Sequence, residues 1–166
     1  MITEAINENL EKAVTLLQTL DKKIYTDTST PPYHSSIGGH VRHLLDVFDC
    51  AIKGLPHKEI NLICRNRDIR IETDKQFAIE NIQRIQAEIE NLKNADLNVI
   101  LPVTDDHGKG QQTINYTLGA ILGQAQSHAI HHYAIIGYIL NHLNVEVTDK
   151  TFGYNPTTPR QEAQAS

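Results

Sequence analysis

The chain has no tryptophan, few aromatic residues, only two cysteines, and no apolar run near the roughly 20 residues that span a bilayer. A membrane-spanning protein is therefore not expected. The Met1 end also lacks the basic and apolar regions of a signal peptide, and the two absences together predict a soluble, cytoplasmic protein. Cys50 and Cys64 form no CxxC pair, so free thiols are expected rather than a disulfide. Acids and bases are interspersed under a formal net charge of −5, leaving no basic stripe to hold a phosphate backbone. Nucleic acid is thus a poor partner for this chain. There is no internal repeat and no low-complexity tract. At 166 residues and 40% apolar content the chain fits one domain, residues 1–166, with an extended tail from about residue 145.

What stands out is histidine. Five of the nine fall in two short clusters, one at His40 and His43 and one at His128, His131 and His132. The second cluster lies in SHAIHHYAIIGYIL, a run with helical periodicity. His128 and His132, four residues apart, project only about 40° apart around the axis and one turn apart along it. The apolar stripe of that helix includes Ile121, Leu122, Ala125, Ala129, Ile136 and Ile139, with His132 near its middle and His128 on its border. Polar rings in such a place need partners for their nitrogens. A hydrogen-bonded core histidine is the commoner outcome, but a transition-metal ion held by neutral imidazoles is the other way to satisfy them.

Read in order, the chain predicts four amphipathic helices. Thr3 caps a first helix running to about Ile24, with Ile6, Leu10, Ala13, Leu17 and Leu20 on one face. Pro31 and Pro32 enforce a loop. Ser35 or Ser36 then caps a second helix that Gly54 and Pro56 close. It carries both His40, nearer its apolar stripe, and His43, toward the edge shared with Asp46. Gly38 and Gly39 are read as a loosely wound first turn in preference to a point of close backbone approach. The stretch from His57 to Glu72 reads as a loop with a short extended piece. Its Arg65, Arg67 and Arg70 are read as surface charges before an anion site. Thr73 or Asp74 caps a third helix to about Asn94. A small hairpin or flap with His107 at its tip follows, and Thr117 caps the long fourth helix. Gly119, Gly123 and Ser127 form a row of small residues that lets another helix approach, within the bundle or across a homodimer. These elements make an all-α four-helix bundle the expected fold, with the histidine clusters on its second and fourth helices.

HLLD from His43 to Asp46, combined with HxxxH from His128 to His132, resembles the DinB/YfiT-like superfamily of bacterial metal-binding four-helix bundles. The resemblance implies a divalent ion held by His43, His128 and His132. On the second helix burial alone favours His40, whereas the motif selects His43, leaving His40 as a residue behind the ligands or on the substrate side. His131 points away from the stripe and ranks below His132. Gln124, one turn before His128, is a further candidate to orient a ligand.

Three imidazoles leave a tetrahedral ion one open position, where the pKa of water falls to around 7. Zincin-type proteolysis is disfavoured because HAIHH lacks the glutamate of HExxH. The resemblance implies a metal-dependent enzyme using one zinc, nickel or iron ion per chain. Transfer to or from a small thiol substrate is the leading reading and hydrolysis the next. The competing reading is a non-catalytic dimeric bundle whose histidines are structural or sense metal.

Overall fold

The computed structural model describes residues 1–159, so the polar end of the expected tail lies outside the described residues. Helix α1 (Ile2–Thr19) buries Ile6, Leu10, Ala13 and Leu17 on one face, as its spacing predicts. It stops earlier than expected. Leu20 turns extended to bury its side chain, and the chain resumes as the short α2 (Lys22–Tyr25). Tyr25 there is fully buried and its hydroxyl donates to the Ile71 carbonyl. Helix α3 (Ile37–Gly54) is capped by Ser36, whose Oγ accepts from the Gly39 N–H at 2.9 Å.

After α3 come a single 3₁₀ turn (Leu55–His57), strand β1 (Ile60–Asn61) and the five-residue α4 (Ile69–Thr73). Asp74 caps α5 (Lys75–Glu90) by accepting from the Gln76 and Phe77 N–H groups. Strands β2 (Ile100–Asp106) and β3 (Gln111–Thr117) lead into α6 (Leu118–His142), where Thr117 Oγ1 accepts from the Ala120 N–H at 3.0 Å. Helix α1 packs on α5 and α6, and α3 also packs on α5 and α6, around a shared core. No helix among the described residues is long and apolar enough to cross a membrane.

The expected all-α class is corrected by a three-stranded mixed sheet of order β1-β2-β3. In it β1 runs parallel to β2, and β2 and β3 pair antiparallel from Ile100–Thr117 to Asp106–Gln111. The hairpin is not an appended flap. Leu101 and Val103 alternate inward on β2, Ile60 on β1 is buried, and so is Leu62 just beyond it. The Leu62 N–H continues the pairing by donating to the Thr104 carbonyl at 2.9 Å. The sheet thus contributes apolar side chains to the core beside α3, and the fold is mixed α/β.

Gly38 also departs from expectation. A Cβ there would collide with the Glu72 backbone carbonyl, so the glycine is where α4 comes against α3. Of the two aromatic residues in the tail, Phe152 is buried and stacked on Tyr133 with ring centroids 4.7 Å apart, while Tyr154 is exposed. Gly123 faces Ile2 of the same chain, which covers part of the small-residue row.

Candidate metal centre

Contact between α3 and α6 brings the two histidine clusters together. One nitrogen from each of His43, His128 and His132 lies within 4.8 Å of the other two. Ring centroids are 5.0 Å apart for His43 and His128, 4.8 Å for His43 and His132, and 4.5 Å for His128 and His132. His132 is buried and the other two are half-buried, and His43 and His132 line a groove.

The donor chemistry fits a cation. Nε2 of His128 is buried with no hydrogen-bond partner, an unfavourable state that a ligated ion relieves. Burial, reinforced by His43 and Arg65, lowers the His128 pKa to about 4. Burial likewise lowers that of His132 to about 3, with His128, His43 and His40 adding to the effect. The His43 pKa is also lowered, first by burial and then by the Arg65 and Arg42 guanidinium groups. All three rings are therefore neutral at physiological pH, the form that offers a lone pair to a metal.

His40 stands behind this group. Its Nδ1 lies 2.9 Å from Nδ1 of His132 and its Nε2 lies 2.8 Å from Ser35 Oγ. One tautomer set satisfies every link while leaving His132 Nε2 free. In it His132 Nδ1–H donates to His40 Nδ1, and His40 Nε2–H donates to Ser35 Oγ. The neighbouring groove, about 390 Å³, is lined by Thr28, His34, Ser35, His40, His43 and Glu72 among others.

Beside the groove α3 carries an ion-pair network. Buried Asp46 accepts from Arg42 Nη1 at 3.1 Å and from the backbone N–H of Arg67 at 3.2 Å, while Arg42 Nε lies 2.5 Å from Glu72 Oε1. The acidic residue of HLLD therefore fastens the 62–68 segment and α4 to the helix that carries His43.

The remaining candidates fall in different places. His131 is exposed, its ring centroid 5.3 Å from that of His132, and it is not one of the three clustered rings. Gln124 is exposed and its side chain makes no hydrogen bond among the described residues. Neither cysteine joins the cluster: Cys50 is buried, with its thiol pKa raised by burial to about 11, and Cys64 is exposed.

The three arginines expected at the surface separate. Arg70 pairs with Asp68 at 2.6 Å and lies over the Phe77 ring, 4.4 Å from its centroid. The Arg67 side chain is exposed. Arg65 instead donates from Nη1 to His43 Nδ1 at 3.3 Å. Sequence spacing does not show that approach, because it depends on β1 pairing with a strand some forty residues later. No protein-family model, curated protein or solved structure matches the chain when it is compared with each.

Proposed function

We propose that His43, His128 and His132 bind one divalent transition-metal ion with a coordination position left open, and that the protein is a metal-dependent enzyme. The observation that carries this reading is the convergence of three neutral imidazoles from two helices, one of them with a buried, unpartnered nitrogen. The resemblance of the HLLD and HxxxH stretches to the DinB/YfiT-like superfamily points the same way.

No cysteine or fourth histidine closes the set among the described residues, which favours a working site over a purely structural one. When bound, the ion supplies Lewis-acid character at its open position. The protein's own contribution is positional. His40 and Ser35 fix the orientation of His132, and the groove beside His40 and His43 admits a small molecule. Transfer to or from a small thiol is the reaction class we favour, since a thiolate is a good ligand for such an ion.

Metal analysis of protein prepared without a histidine tag tests the site. About one ion per chain is expected, lost in His128→Ala, and protein that takes up no metal would refute the reading. Turnover against a panel of small thiols, abolished by His43→Ala, then tests the reaction class.

A further inference from the structure

Arg65 is a cation placed where a metal centre should not tolerate one. It is half-buried, its Nε–H donates to the Leu62 carbonyl at 2.7 Å, and its Nη1 donates to His43 Nδ1 at 3.3 Å. No carboxylate pairs with it among the described residues, whereas Arg42 nearby has both Asp46 and Glu72. Its position is not accidental. Leu62 is tied to Thr104 in the sheet, Asn61 Oδ1 accepts from the N–H groups of Ile63 and Cys64, and Asp46 holds the Arg67 N–H.

The contact with His43 cannot survive metal binding. If a cation takes Nδ1, the acceptor of the Arg65 bond is gone. If it takes Nε2, the imidazole proton moves to Nδ1, which then cannot accept. In either case the guanidinium keeps the Leu62 carbonyl at Nε but loses its partner at Nη1 and faces a dication, so both charges call for an anion between them. A planar guanidinium fork matches a carboxylate. Glu72, which lines the groove beside His43 and is paired with Arg42, leaves no second free cation there among the described residues to match a more highly charged anion.

We infer that the site takes its metal ion together with a carboxylate-bearing small molecule, and that Arg65 is the residue that recognises the carboxylate. This rests on the metal reading above. It makes metal and carboxylate binding mutually reinforcing.

The test uses cobalt(II) as the metal, whose visible spectrum reports its ligands, and acetate as the probe. In the wild type, acetate should change the cobalt spectrum and raise cobalt affinity. Arg65→Gln should weaken acetate binding about tenfold or more, as loss of a charge-assisted hydrogen bond does. Without acetate the same variant should bind cobalt at least as tightly as the wild type, because a repelling charge has gone. A merely structural arginine would not produce that opposite pair of shifts. Arg65→Lys should recover part of the acetate affinity, and Arg70→Gln should leave it unchanged.

A wild type that takes no cobalt ends the metal reading and this inference with it. Cobalt uptake with acetate affinity equal in the wild type and Arg65→Gln ends this inference alone. Inorganic phosphate binding more tightly than acetate overturns the carboxylate assignment. Wild-type cobalt affinity indifferent to acetate overturns the coupling without recourse to any variant.

Discussion

Nδ1 of His40 and Nδ1 of His132 are 2.9 Å apart, so one of these two neutral rings donates a proton to the other across the α3–α6 interface. With Ser35 Oγ at the far nitrogen of His40, the link runs from the start of α3 to a ring at the centre of the histidine group. His40→Phe should keep the ring's bulk and lose the link. Metal affinity, measured by competition with a chromophoric chelator, should fall by about 10- to 100-fold. Ser35→Ala should fall less. Unchanged affinity in His40→Phe would show that His132 is oriented by packing alone.

Metal and fold are linked. An ion that binds only the folded chain stabilises it by about 2.7 kcal/mol when free metal is roughly 100 times its dissociation constant. Adding a chelator should therefore lower the melting temperature of the wild type. It should leave His128→Ala unmoved. A wild-type melting temperature indifferent to chelator would contradict a bridge between α3 and α6.

Acid should weaken the metal-free fold through the same rings. The unfolded chain protonates its histidines near pH 6.5, whereas His128 and His132 in the folded protein resist until about pH 4 and about pH 3. Across that window the unfolded state binds more protons, so stability declines as pH falls and these groups contribute no slope above it. Denaturant unfolding with chelator present, followed from about pH 8 to about pH 4, should show the decline. His132→Phe should flatten it, and a wild-type stability independent of pH would exclude buried neutral imidazoles.

Gly38→Ala sets two effects of opposite sign against each other. Alanine favours a helix by about 1 kcal/mol over glycine. At this position, though, the added methyl meets the Glu72 backbone, and such overpacking costs about 1–3 kcal/mol. Net destabilisation is expected. Gly39→Ala, whose nearest obstacle is Ser36 Oγ at 3.3 Å, should lose less. Equal stabilities for the two variants would mean that α4 moves aside freely.

The parts of the fold legible in the sequence were those with a local cause. Ser36, Asp74 and Thr117 cap the helices expected to begin there, because a cap is a bond between a side chain and a backbone N–H two or three residues on. The apolar stripes of α1, α3 and α5 were legible for the same reason. Strand β1 was not, since two residues carry almost no periodicity and its partner Val103 lies far along the chain. Without β1 the hairpin read as an ornament on an all-α body, and Arg65 read as a surface charge. The clustering of His43 with His128 and His132 was suggested by a motif where burial favoured His40; the fold brings the three rings together and sets His40 behind His132. Gly38 failed in the opposite direction, because a glycine's neighbour is visible only once the chain has folded.

The segment from Leu62 to Arg67 is pinned at both ends, by the Thr104 carbonyl on the sheet and by Asp46 on α3. Its span is thereby set by the distance between two fixed anchors. Inserting or deleting a residue between those anchors would shift the guanidinium, whereas substitutions at the exposed Cys64 and Asn66 would leave it where it is. Natural selection acting on this stretch would therefore conserve its length more strictly than its letters.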